Sequence, residues 1–293
     1  MRKRIGRVLR AILPATVYRE IEVRYGRRHA LGWLHESGLL DLGMKVAERF
    51  NYTVQNGPFH GMRYTRTAVL THHSTPNLLG TYERQLYPFL VDAAIRCETV
   101  VDIGSAEGYF AVGLARLTGK PVTTFDVNPA ERRLVREMAE LNGVSRLVTV
   151  SKWCSDAALM DLVRGKRALV FCDIDGGEFS LFTPEVVEAL RGCDVFIELH
   201  GTPQEDSEFI RRFTDREPIV LQHPETPASI ELLTFLGTAD AMRTAKEYRN
   251  PQQWLVLRPA DLSSLAQLGE KVGQPAVKVT PSPANAEVSQ TAG

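Results

Sequence analysis

The chain has 293 residues, 44% of them hydrophobic and 24% charged, the proportions of a globular protein with room for one large domain and extensions. Its 35 basic and 35 acidic side chains cancel, which gives no electrostatic case for a nucleic-acid binder. Cys97, Cys154, Cys172 and Cys193 form no Cys-x-x-Cys pair, so buried thiols are expected rather than a zinc site. No apolar run approaches the roughly 20 residues needed to span a bilayer.

The N-terminus is the one lopsided stretch. Ile5, Val8, Leu9, Ile12 and Leu13 fall at helical spacing among Arg2, Lys3, Arg4, Arg7 and Arg10, and Pro14 ends the pattern. Arg7 and Arg10 interrupt the apolar core that a signal peptide requires, so a cytoplasmic protein is expected. The short helix either packs on the domain or makes peripheral contact with an anionic inner membrane face. Residues 31–75 read as irregular structure with short elements, among them a small hairpin over 51–64 marked by Asn56-Gly57-Pro58 and His60-Gly61. Adjacent His72 and His73 point apart on most backbones, so no metal pair is expected there. A helix over 79–96 follows, with Leu79, Leu86, Phe89, Leu90, Ala93 and Ala94 as its apolar stripe.

From there strands and helices alternate. The stretch Thr99 to Phe110 reads as a buried strand running into a glycine turn, followed by an amphipathic helix over Ala111 to Leu117. Further strands are expected over 121–126, 147–151, 168–173, 194–198, 218–221 and 253–257, with helices over 129–141, 157–164 and 184–190 between them. Nearly continuous apolar strands between helices mean a mostly parallel sheet covered on both faces. The expected organisation is a basic helix and irregular extension over 1–78, a domain over 79–260, and a Pro-, Ala- and Ser-rich tail over 261–293 with a disordered end.

The glycine turn narrows the ligand. Gly104 can take backbone angles closed to other residues, and Gly108 permits close approach. A dinucleotide loop wants Gly-x-Gly-x-x-Gly, but Ala106 and Tyr109 occupy its second and third glycine positions. Asp126, at the end of the second strand, suits hydrogen bonds from two ribose hydroxyls or a charge at the next helix start. The spacing Asp102-x-Gly104-x-x-x-Gly108-x-Phe110 resembles the first motif of class I S-adenosylmethionine-dependent methyltransferases. That resemblance implies a Rossmann-like doubly wound seven-stranded sheet with an antiparallel last strand. It also implies that Gly104, Ser105, Ala106, Glu107, Gly108 and Tyr109 wrap the methionine part of the cofactor, with Asp102 near its cationic amino end. Asp126 would hold the ribose and Asn128 line that edge. Ser155 or Asp156 would accept from the adenine amino group.

The segment Cys172-Asp173-Ile174-Asp175-Gly176-Gly177-Glu178-Phe179 is similar to the Asp-Val-Glu-Gly-x-Glu stretch of FkbM-type methyltransferases. Val195-Phe196-Ile197-Glu198-Leu199-His200 is similar to that family's Glu-Leu-His strand. The chain departs from the pattern in having Asp175 for Glu and an added Gly177. The resemblance implies O-methylation of a sugar or other small-molecule hydroxyl. The Asn/Asp-Pro-Pro-aromatic run of base-amino methyltransferases and the Pro-Cys pair of cytosine-carbon enzymes do not occur. Asp173, Asp175, Glu198 and His200 all fall at strand carboxyl ends, where open α/β sheets hold ligands. Asp175 or His200 is the expected base, with Asp173 and Glu198 orienting cofactor or substrate. Two other readings of these groups stay open, a divalent cation bound by all four and Asp175 as a helix cap. The competing functions are a nicotinamide-dependent Rossmann oxidoreductase and a catalytically inactive methyltransferase fold used as a binding module.

Overall fold

The computed structural model describes residues 36–70, 73–224, 226–247 and 252–259, so the basic N-terminal stretch and the tail lie outside the described residues. Seven strands form one sheet: β1 (Thr99–Ile103), β2 (Val122–Phe125), β3 (Val148–Ser151), β4 (Ala168–Cys172), β5 (Asp194–Leu199), β6 (Pro218–Gln222) and β7 (Gln253–Leu257). Their order is β3-β2-β1-β4-β5-β7-β6. β1 to β5 pair in parallel, and β7 runs antiparallel between β5 and β6. This is the doubly wound, mostly parallel seven-stranded sheet with an antiparallel last strand that the sequence leads one to expect. The centre of the sheet is dry because β-branched and aromatic side chains cover both faces; every residue of β4 and of β5 is buried.

On one face pack α3 (Tyr87–Arg96), α4 (Tyr109–Thr118), α5 (Pro129–Leu141) and α10 (Thr238–Ala245). On the other lie α6 (Asp156–Val163), α7 (Glu178–Leu181), α8 (Pro184–Ala189) and α9 (Pro203–Ile210). Local chemistry sets where the helices begin. Asn128, Ser155, Thr183 and Thr202 each accept a hydrogen bond from a backbone N–H in the following first turn, and a proline follows three of these caps directly.

Three expectations need correction. The segment before the sheet is not irregular throughout: α1 (Leu39–Arg49) buries Leu39, Leu42, Val46 and Ala47 along one side. Its central Gly43 weakens the helical signal, yet a Cβ there would lie 2.7 Å from the Ser74 hydroxyl, so the glycine serves close packing. The helix expected over 79–96 is broken. α2 (Ser74–Leu79) stops at Gly80, whose φ is 70°, and Glu83 also sits in the left-handed region at 52° before α3 opens with Tyr87-Pro88. The Tyr87 hydroxyl donates across this break to the carbonyls of Gly80 or Tyr82, 3.0 and 2.8 Å away. The hairpin expected over 51–64 amounts to one bridge, Thr53 with Arg63. All four cysteines are buried free thiols. Among the described residues no helix is long and apolar enough to cross a membrane.

Candidate functional site

The turn after β1 is shaped by its neighbours as much as by any ligand. A Cβ on Gly104 (φ 95°) would lie 1.7 Å from the Asp173 carbonyl oxygen, so this glycine lets the end of β1 touch the end of β4. A Cβ on Gly108 (φ 101°) would lie 3.3 Å from Val135 Cα, so its close approach is to α5. Asp126 closes the turn: one carboxylate oxygen accepts from Ala106 N at 3.0 Å and the other from Asn128 N at 2.7 Å. Below the turn, Asp102 is sealed from water and accepts from the Thr124 hydroxyl at 2.7 Å. Burial pushes its pKa up to about 7, against the pull of the Thr124 bond and with the charge of Asp126 adding to it. The Ser105 hydroxyl is buried beside the turn without a hydrogen-bond partner.

The other expected cofactor residues divide. Glu107 accepts from the Asn77 amide at 2.7 Å and the Tyr64 hydroxyl at 3.3 Å, so its side chain is engaged by the segment preceding the sheet. The Tyr109 hydroxyl pairs with that of Tyr87 at 3.1 Å, and its ring lies edge-on to Phe59. Asn128 and Ser155 cap α5 and α6, and Asp156 accepts from the adjacent Ala157 N–H at 2.8 Å. These last two residues follow β3, two strands away from β1.

Across the sheet edge, the ends of β4 and β5 build a box of carboxylates around one imidazole. His200 Nε2 lies 3.3 Å from Glu198, 3.5 Å from Asp173 and 3.7 Å from Asp175. Its Nδ1 lies 3.1 Å from Glu178. Both ring nitrogens thus face carboxylate oxygens, the pattern of a doubly protonated ring. Burial pulls the His200 pKa down, but the bonds to Glu178 and Glu198 and the charge of Asp173 outweigh it and hold it at about 11. Asp173 is pushed well above the usual carboxylate range by burial and by the charge of Glu198. Asp175 stands 86% exposed at a left-handed φ of 51°, and the helix it was a candidate to cap begins instead at Gly177 without a side-chain cap bond.

All four residues expected to carry the chemistry therefore meet. Glu178, which the sequence reading used only as part of a motif, belongs with them. It is fully buried, and the oxygen that meets His200 also accepts from Ile174 N at 2.9 Å, which fixes the turn between Asp173 and Gly177. A second acid three residues beyond Asp175, at the start of a helix, was the available signal. The chain beyond His200 is held by a bond from Gly201 N to Asp206 at 3.0 Å and by a capping box between Thr202 and Glu205. Ligand atoms of Asp173, Asp175 and His200 lie within 4.8 Å of one another, so a cation and a protonated ring are alternative ways to balance this charge.

No family model matches the chain. It is 34% identical over 99 residues to the ribosomal protein L11 methyltransferase of Pelotomaculum thermopropionicum, a stretch covering 34% of this chain and 31% of that protein. The enzyme of the same name from Bacillus pumilus is 28% identical over 100 residues, again 34% of this chain and 31% of the relative. The chain thus matches about a third of the length of these curated relatives. Among solved structures, an O-methyltransferase from Bacillus cereus is 14% identical, with 75% of this chain and 90% of that one covered and a TM-score of 0.40. Likeness at that level adds no conclusion of its own; the sheet order carries the fold.

Proposed function

We propose that the chain is a class I, FkbM-like methyltransferase that uses S-adenosylmethionine to methylate a hydroxyl of a glycan or other small molecule. The supporting observation is the contact of the two halves of the site: Gly104, in the turn that would cradle the cofactor, abuts the backbone of Asp173, the acid that opens the carboxylate box. The donor set suits a cationic cofactor. Asp102 is a buried acid whose raised pKa an ammonium group would relieve, Asp126 would accept from a ribose, and the turn between them carries the orphaned Ser105 hydroxyl. The 99-residue likeness to a ribosomal protein L11 methyltransferase supports methyl transfer and, as a second reading, a protein acceptor.

When bound, S-adenosylmethionine supplies an electrophilic methyl group for in-line attack. The chain's own residues then align the acceptor and take its proton. Although the sequence alone makes His200 a candidate base, a ring held at about 11 is already protonated at neutral pH. We assign it to fixing the carboxylates, and the base role to Asp173, which meets that ring at the end of β4 and whose backbone abuts the turn that would cradle the cofactor. Glu198 and Glu178 orient the ring, and exposed Asp175 faces the acceptor.

Calorimetric titration should give saturable binding of S-adenosylmethionine and none of a nicotinamide dinucleotide; the reverse would sink the reading. Asp173→Asn should keep cofactor affinity within about threefold and lose turnover by about 10²–10⁴-fold. Full activity in that variant removes Asp173 as base, and the same result for Asp175→Asn excludes the other carboxylate candidate. Radiolabel from S-adenosylmethionine should enter the glycan or small-molecule fraction of a lysate; label confined to protein would favour the second reading.

A further inference from the structure

A second convergence of ligating side chains lies outside this box. Glu83 comes from the break before α3, His223 from the residue after β6, and Glu247 from just beyond α10, so three separate stretches of chain meet. His223 Nδ1 lies 4.0 Å from Glu83 and 3.8 Å from Glu247. These separations are too long for hydrogen bonds. They are close to the separation of two donors sharing one ion, which at about 2.1 Å per metal–ligand bond lie no more than about 4.2 Å apart. The imidazole nitrogen is buried and has no hydrogen-bond partner, although it points between two carboxylates. Ligand atoms of all three residues fall within 4.8 Å of one another.

The surroundings suit an ion rather than a solvated cluster. Glu83 is fully buried and is held in the left-handed backbone region at φ 52°, which turns its side chain inward. The Gln85 amide donates to the same Glu83 oxygen that faces His223, as an outer partner that orients a metal-binding carboxylate does. In cross-strand register Leu221, Trp254 and Glu198 face the same side of the sheet, and His223 continues that row two residues past Leu221. The cluster therefore lies on the same face as Glu198, about 12 Å away by two strand spacings and a two-residue rise.

We propose that Glu83, His223 and Glu247 form a binding site for one divalent transition-metal ion, which clasps the segment preceding α3 to the outer strand pair β6–β7. One imidazole and two carboxylates form a borderline-hard donor set, suited to Mn²⁺ or Zn²⁺. Its remaining coordination positions would go to water or an acceptor oxygen. The site is independent of His200 and of the proton it carries.

The test uses the full chain, stripped with chelator and titrated with Mn²⁺, with free ion followed by electron paramagnetic resonance. One equivalent should bind, and the thermal midpoint should rise with saturation. His223→Ala and the near-isosteric Glu247→Gln should each weaken binding by at least about tenfold, while Asp173→Asn should leave it unchanged. Should His223→Ala fail to fold, Glu247→Gln decides. Absence of binding overturns the proposal. So does one equivalent that survives Glu247→Gln and is lost in Asp173→Asn, which would put the ion in the box around His200.

Discussion

A carboxyl group closed off beneath the turn at Gly104 makes the fold sensitive to pH. Asp102 titrates near 3.8 when unfolded and near 7 in the folded chain, so the folded state holds its proton more tightly. The stability this group contributes is complete below about 3.8 and is lost as pH rises through about 7. Asp102→Asn should flatten that slope, raising unfolding free energy at pH 8 relative to pH 5 by up to about 2.6 kcal/mol, read from urea transitions. An unchanged pH slope would mean that Asp102 is ionised throughout. His200 acts in the same direction at higher pH, its contribution full below about 6.5 and lost through about 11. Sequence alone shows which residue types sit at the strand ends, but not their protonation. The charge on His200 depends on Glu178, which arrives from another loop 22 residues away in sequence.

At the scale of elements, the opposite end of the sheet is tied by ions. Asp194, at the start of β5, is 1% exposed and bonds Arg96 of α3 at 2.8 Å, with Arg258 beyond β7 3.8 Å away. Asp92 pairs with both arginines. Removing the buried partner leaves two guanidiniums facing each other, so Asp194→Ala should cost about 3–5 kcal/mol in denaturant unfolding while leaving cofactor affinity unaltered below the transition. A loss under 1 kcal/mol would mean that Asp92 suffices. Elements were legible where one signal dominated. Asn128-Pro129 and the apolar stretches of β1, β4 and β5 could be read directly, since cap chemistry and burial on both faces leave plain marks. α1 was hidden by Gly43, and the break at 80–86 by residues whose left-handed backbone is held through contacts with Tyr87.

Over the whole molecule, the segment ahead of the sheet is part of the core. Phe59 is 1% exposed and its ring lies against Tyr109 and Phe110, in space left by Gly113, where a Cβ would meet that ring at 2.6 Å. Unfolding should therefore be a single transition, coincident by tryptophan fluorescence and far-ultraviolet circular dichroism. Phe59→Ala should lower it by about 3–5 kcal/mol. Two separate transitions would make residues 36–78 an independent unit. The sheet order was legible in outline, because alternating strands and helices admit few topologies. How the leading segment docks was not, since packing against α4 leaves no periodic trace.

The placement of β7 sets an order of assembly. Among the described residues β6 pairs only with β7, and β7 occupies the gap between β6 and β5, although it is the last of the described strands in sequence. During synthesis the turn after β1 and the ends of β4 and β5 leave the ribosome early. The row through Leu221, Trp254 and Glu198 cannot close until residue 257 has emerged. A nascent chain arrested before β7 would thus carry every residue of the carboxylate box while leaving the facing edges of β5 and β6 bare, and it would be a natural client for a chaperone that recognises unpaired backbone.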